Sequence, residues 1–189
     1  TPALDAGRAL AFALGVDPAK VTFAPGPAEG RQLASVQSAP LMARLTQMMN
    51  ASDNVMAETI GREVARATGH PSSFAGAVDA VIAKLSSVHS DLTGASLGDS
   101  SGLSVADLLT ARTLDEVVNA AAGPDQPALR PMLDMLPVAA GSGTLSNRFY
   151  EPDAKKSAAG WLRAKTGSLT KTNSLAGIVT DKSGRVLTF

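Results

Sequence analysis

Helical periodicity fills the middle of this chain and gives way, after residue 160, to short β-type runs. That change of period restricts the fold more than any other feature. Residues 161–166, 175–180 and 186–189 read as strands, with Asp181-Lys182-Ser183-Gly184 as the turn before the last of them. Such short connections produce an antiparallel meander. Upstream, residues 4–14 follow a helical pattern ended by Gly15. A central series of helices then follows. Leu41, Leu45, Met48 and Met49 mark residues 41–49, and Val55, Ile60 and Val64 mark 53–68, stopped by Gly69-His70-Pro71. Phe74, Val78, Val81, Ile82 and Leu85 mark a third at 73–85. Ser104-Val105-Ala106-Asp107 resembles a capping box opening a fourth, which Gly123-Pro124 ends. Residues 21–23 and 32–37 are two further strand candidates, the second broken at Pro40. The expected class is α/β in α+β layers, an antiparallel sheet with helices packed on it.

The 189 residues suffice for one sizeable core, and 44% hydrophobic against 18% charged residues fits a globular chain. With only 4% aromatics, the core must rest on Ala, Val, Leu, Ile and Met, so Met48, Met49, Met132 and Met135 read as packing residues. Seventeen basic and seventeen acidic side chains cancel, which leaves no whole-chain footprint for nucleic acid or an anionic membrane. Cysteine is absent, excluding disulfides and thiolate chemistry. His70 and His89 sit apart in loop-like contexts, so no metal site is expected. No apolar run reaches the roughly 18–20 residues that span a bilayer. The start, Thr1-Pro2-Ala3, reads as that of a processed or excised product, and a strand at the last residues reads as a truncation.

Two triplets carry the chemistry: Ser52-Asp53-Asn54 and Lys165-Thr166-Gly167. Each alone recurs by chance. Ser, Asp and Asn are also preferred helix N-caps, and a Lys-Thr-Gly string also suits a strand-end turn. Together they resemble two of the motifs of serine β-lactamases and penicillin-binding proteins, whose remaining motif is Ser-x-x-Lys. Acyl transfer from a D-Ala-D-Ala terminus needs a nucleophile, a base, a proton donor for the leaving amine and a cation for the free carboxylate. On this reading Ser52 would relay a proton, the Asn54 amide would hold the peptide carbonyl, and Lys165 would supply the charge. The Thr166 and Ser168 hydroxyls would bind the carboxylate. Gly167 would let the backbone approach the ligand, and the Ser168 N–H would form half of an oxyanion hole.

Longer segments in order make the resemblance specific. Ser38-Ala39-Pro40-Leu41, Met48-Met49-Asn50-Ala51-Ser52-Asp53-Asn54-Val55-Met56-Ala57-Glu58 and Asp99-Ser100-Ser101-Gly102-Leu103-Ser104 come first. They are followed by Leu136-Pro137-Val138-Ala139, Gly143-Thr144-Leu145 with Arg148, Ala164-Lys165-Thr166-Gly167-Ser168-Leu169 and Asn173-Ser174-Leu175-Ala176-Gly177. This series resembles the penicillin-binding protein 4 type of D-Ala-D-Ala carboxypeptidase, which usually has Asp-Gly-Ser-Gly-Leu-Ser in the third segment. The resemblance implies a β-lactamase/transpeptidase-like fold and a serine-type carboxypeptidase or endopeptidase of peptidoglycan. Its partners would be stem peptides ending in D-Ala-D-Ala and β-lactams, its place outside the cytoplasmic membrane, and it would need no cofactor. Residues 1–189 would be the C-terminal portion of one catalytic domain, with 1–38 re-entering it after an insertion and 39–189 spanning the two triplets.

The family's Ser-x-x-Lys supplies the nucleophile and its base, and it precedes that insertion. The one match here, Ser168-Leu169-Thr170-Lys171, follows Lys-Thr-Gly on a strand, where residues three apart point to opposite faces. Ser52 has Val55, not lysine, three residues on. The chain alone is therefore expected to lack acyl-enzyme chemistry. Two other readings stay open. A class A β-lactamase would carry Glu-x-x-Leu-Asn, and the nearest string, Glu116-Val117-Val118-Asn119, falls in a predicted helix without the Leu. A non-catalytic peptidoglycan-binding homologue would lack Ser-x-x-Lys upstream. Asp99 suits either a turn beside Gly102 or the site, and Arg148 either the surface or a carboxylate partner.

Overall fold

The computed structural model describes residues 1–26, 30–88, 91–149 and 158–189. The chain divides into two compact units, Thr1–Ser38 and Ala39–Phe189. In the first, helix α1 (Pro2–Ala13) has proline at its start, where the missing N–H costs no helical bond. A single 3-10 turn (Pro18–Lys20) follows, capped by Asp17, whose carboxylate accepts from the Ala19 N–H at 2.9 Å. Val21 reaches back to Gly7, where an added Cβ would sit 3.0 Å from its methyl.

Residues 21–23 and 32–37, expected as strands, are not strands. A strand must satisfy its N–H and C=O groups against a neighbouring edge. No strand occurs among the described residues of this unit, and Leu33 and Val36 lie almost fully exposed.

The second unit holds α2 (Leu41–Ala51), α3 (Asn54–Ala67), α4 (Phe74–Ser87), α5 (Ala111–Ala122) and the short α6 (Pro131–Met135). Its sheet follows as β1 (Leu162–Leu169), β2 (Thr172–Thr180) and β3 (Val186–Thr188), antiparallel throughout and in that order. The register runs from Leu162 opposite Val179 to Leu169 opposite Thr172, leaving Thr170 and Lys171 as a two-residue hairpin turn. Asp181 organises the turn into β3. Its carboxylate accepts from the Ser183 N–H and hydroxyl and the Arg185 N–H, and it pairs with the Arg185 guanidinium at 2.8 Å. Those hydrogen bonds hold its carboxyl down at about 2.

Small residues let the helices close. Gly61 and Ala65 of α3 and Ala77 and Ala80 of α4 are buried where the two helices pack. α5 lies against β2 and β3 and buries Val118 and Ala121. A second apolar cluster beneath β1 joins Ala139, Leu145, Leu162 and Ala164, with Val179 and Phe189 packed on it. Met135 is buried, whereas Met48, Met49 and Met132 are half-buried.

The fourth central helix starts later than the capping-box pattern predicts. It begins at Ala111 with Thr110 as its cap, whose hydroxyl accepts from the Thr113 N–H at 3.0 Å. Ser104 to Asp107 form a turn instead. The Asp107 carboxylate is drawn to the Gly98 N–H at 2.6 Å, and Ser96 and Leu108 exchange two backbone hydrogen bonds that close the loop. Ser104 and Asp107 can cap a helix or lock a turn, and here the Ser96–Leu108 bridge makes the second choice.

Candidate active site

Ser52-Asp53-Asn54 forms the junction between α2 and α3. Ser52 ends α2 in the left-handed region (φ 54°, ψ 48°), and the Asp53 N–H closes the turn on the Met48 carbonyl at 3.1 Å. Asp53, rather than Ser52, caps the next helix by accepting the Met56 N–H at 2.9 Å. Asn54 is then the first residue of α3. It is half-buried, and its side chain makes no hydrogen bond among the described residues. A non-glycine residue held left-handed costs roughly 1–2 kcal/mol, so the surrounding packing sustains the Ser52 conformation.

Lys165 lies on β1, 113 residues away, and its ammonium donates to the Ser52 hydroxyl oxygen at 2.8 Å. It also donates to the Thr166 carbonyl at 2.8 Å. Burial pushes the Lys165 ammonium below the usual lysine range, because a half-desolvated cation has lost part of its water. The two triplets therefore meet through a cation and a hydroxyl.

Strand parity explains how the rest of β1 is presented. The Ala164 N–H donates to the Pro137 carbonyl at 3.0 Å, and Leu162 accepts from the Ala139 N–H at 2.9 Å. Residues 162 and 164 thus turn their backbone groups away from β2, toward residues 137–139. By the alternation of an antiparallel ladder, those of Thr166 and Ser168 turn to the same edge, beyond that cover. Gly167 stands opposite Ser174 of β2, and an added Cβ would run into the Ser174 hydroxyl. Its lack of a side chain thus serves the cross-strand pair. Ser168 and Lys171 of the Ser-x-x-Lys match occupy the strand and its hairpin turn, not a helix start, and both are exposed.

Three supports were not legible in the motifs. The Thr166 hydroxyl donates to the Thr144 hydroxyl at 2.8 Å. Thr144 sits in a 3-10 turn (Gly143–Leu145) that Leu145, fully buried, anchors in the core under β1. Gly143, at φ +55°, packs so closely on Asn50 of α2 that a Cβ would lie 2.7 Å from its carbonyl oxygen. The third support is Glu58 of α3, which is buried. Its Oε1 accepts from the Ser100 and Ser101 N–H groups at 2.9 and 2.8 Å and ties α3 to the loop closed by Ser96 and Leu108. Gly143-Thr144-Leu145 and Glu58 lie in segments that carried the family resemblance, but no local spacing reveals their partners.

Asp99 shapes that loop by accepting from the N–H groups of Ser101, Gly102 and Ser104. Burial pulls its carboxyl up, but the Gly102 and Ser104 hydrogen bonds outweigh that and hold it below the usual range. Burial pushes the neighbouring Asp107 up, and the Asp99 charge adds to this. Arg148 is exposed, and its carbonyl accepts from the Ala140 N–H. Glu116 and Asn119 lie within α5, where Glu116 accepts from the Asp91 N–H at 2.6 Å. His70 is half-buried with its Nδ1 3.0 Å from the Thr68 hydroxyl, and His89 lies outside the described residues. Among the described residues no group of three His, Cys, Asp or Glu is placed to hold a metal ion.

A carboxypeptidase DacB of Mycolicibacterium smegmatis is 69% identical over 190 residues, covering 100% of this chain and 41% of the relative. A D-alanyl-D-alanine carboxypeptidase DacB of Haemophilus influenzae is 32% identical, covering 90% of this chain and 35% of the relative. The crystal structure of penicillin binding protein 4 (dacB) from Haemophilus influenzae, complexed with a novel β-lactam, superposes with a TM-score of 0.75 at 31% identity. That match covers 89% of this chain and 38% of the other, so the fold is a partial domain of the penicillin-binding protein 4 type. The chain spans 35–41% of the length of these two carboxypeptidases. Matched over residues 1–189, it belongs to the D-Ala-D-Ala carboxypeptidase 3 (S13) family.

Proposed function

We propose that the complete protein is a serine-type D-Ala-D-Ala carboxypeptidase of peptidoglycan, working outside the cytoplasmic membrane and inhibited by β-lactams. In this reading residues 1–189 are the C-terminal portion of its catalytic domain, with 1–38 re-entering after an insertion. The observation that carries it is the hydrogen bond from Lys165 to Ser52, which unites triplets 113 residues apart. With the Lys165 ammonium donating into a Ser52 lone pair, the single proton of that hydroxyl is free for another acceptor. The leaving amine is that acceptor.

The reaction runs in two steps. A serine outside these residues attacks the penultimate D-Ala carbonyl, the C–N bond breaks, and terminal D-Ala leaves with a proton relayed through Ser52. Water then hydrolyses the acyl-serine ester. The substrate's terminal carboxylate meets the Lys165 charge and the Thr166 and Ser168 hydroxyls, while the Asn54 amide holds the peptide. The substrate lies along the edge of β1 to which Thr166 and Ser168 turn their backbone groups, and Gly167 leaves that stretch low. The Ser168 N–H there provides half of an oxyanion hole.

Incubation with a labelled penicillin, followed by denaturing electrophoresis, tests this. The complete gene product should take up covalent label and the 189-residue chain should not. Label on the chain alone would place the nucleophile within it and overturn the assignment. An unlabelled complete product that still binds stem peptide would make it a non-catalytic peptidoglycan-binding homologue.

A further inference from the structure

We infer that Thr144 is a positioning residue that sets the direction in which the Thr166 hydroxyl donates, and so tunes recognition of a substrate's free carboxylate. This rests on reading Lys165 to Ser168 as the carboxylate subsite. A threonine hydroxyl has one proton and two lone pairs. Here the Thr166 proton points at Thr144, 2.8 Å away, so without ligand Thr166 offers a carboxylate only lone pairs. A carboxylate accepts and cannot donate, so the two would repel.

Binding therefore requires the Thr166 O–H to swing to the ligand. The 2.8 Å spacing is then kept only if the Thr144 hydroxyl reverses and donates to Thr166. A serial chain results, Thr144 to Thr166 to carboxylate, in which each hydrogen bond polarises the next and strengthens the terminal donor. No bond is made or broken and no proton changes owner.

The turn carrying Thr144 is fixed at both flanks. Leu145 is fully buried beneath β1, and Gly143 is wedged against Asn50. The Thr144 hydroxyl can thus follow Thr166 by rotating, with no backbone movement. Its partner contact is 22 residues distant in sequence, which fits a dedicated support rather than a neighbour's chance contact.

The test uses the complete gene product and compares a peptide ending in a free D-Ala carboxylate with the same peptide ending in a carboxamide. Thr144→Val keeps the shape and removes the hydroxyl. It should lower kcat/KM for the free-carboxylate peptide by about threefold to tenfold, the range of one neutral hydrogen bond, and barely change the carboxamide peptide. Thr144→Ser should restore the carboxylate preference. Adding Thr144→Val to Thr166→Val should cost almost nothing further, because the two hydroxyls act in series.

Equal losses on both peptides, or a Ser variant no better than Val, would make Thr144 merely structural and overturn the inference. If Thr144→Val lowers the thermal midpoint, the Ser-against-Ala comparison at that position decides the same question. The parent reading fails separately. It falls if Lys165→Ala and Thr166→Val leave the preference for a free carboxylate intact, whatever Thr144 does.

Discussion

The site's two walls are built by opposite means. On the strand wall, Lys165 to Ser168 owe their arrangement to a ladder: pairing with β2 alternates the backbone groups and faces of successive residues. On the helical wall, Ser52 and Asn54 owe theirs to a junction in which one residue ends a helix left-handed and the next caps another. The ladder is locally determined and tolerates change in one side chain at a time. The junction is over-determined from outside, by Lys165 on its hydroxyl and by the packing of Asn50 on Gly143. The cation proposed to meet the carboxylate thus sits on the forgiving wall, and the left-handed serine on the dependent one.

The largest perturbation should strike both walls together. Leu145 is fully buried in the cluster under β1, and its turn also braces α2, so Leu145→Ala should cost about 2–5 kcal/mol in denaturant unfolding. If one core serves both walls, the helical circular dichroism signal and the fluorescence of Trp161, the single tryptophan, should shift to the same lower midpoint. Separate midpoints would mean that the walls unfold independently.

A smaller effect separates strain from chemistry at Ser52. Ser52→Ala should lose about 1 kcal/mol, because alanine keeps the left-handed penalty and gives up the Lys165 contact. Ser52→Gly relieves the backbone and should be at least as stable as the alanine variant. Both should also lose the proton relay proposed for the Ser52 hydroxyl. A glycine variant less stable than alanine would show that the junction is not strained.

The smallest effect is a pH dependence on the strand wall. The folded Lys165 pKa lies below that of the unfolded chain, so the unfolded state holds more protons between the two values. Relative to Lys165→Met, the wild type should therefore gain stability as pH rises through the lowered pKa toward 10.5. Carboxylate-ligand affinity should fall over the same window, as the cation discharges. Wild-type and variant curves that run parallel in both measurements would leave Lys165 without a role in either.

Much of this was legible in the sequence where determinants are local. The three strands announce themselves by composition and turn residues within thirty positions, and the helices at 41–49, 53–68 and 73–85 by their apolar spacing. Residues 21–23 and 32–37 misled because alternation describes an extended residue whether or not an edge lies beside it. Ser104 misled because a capping pattern and a locked turn use the same side chains, and the Ser96–Leu108 bridge that decides between them is non-local. At the site, the two triplets were visible, but their supports were not. Thr144 looks like any turn threonine until Thr166 is beside it, and Glu58 looks like an exposed helix residue until it is found buried against Ser100 and Ser101.

Gly143 gives the site a dimension that no polar residue controls. Because a methyl there would collide with Asn50 at 2.7–3.0 Å, the gap between the serine junction and the strand is gauged by an atom that is missing. Glycine at this position acts as a shim of zero thickness. Any thicker shim would push α2 off the turn and carry the Ser52 hydroxyl away from Lys165. The spacing of Ser52 from Lys165 can thus be adjusted from a residue outside both triplets.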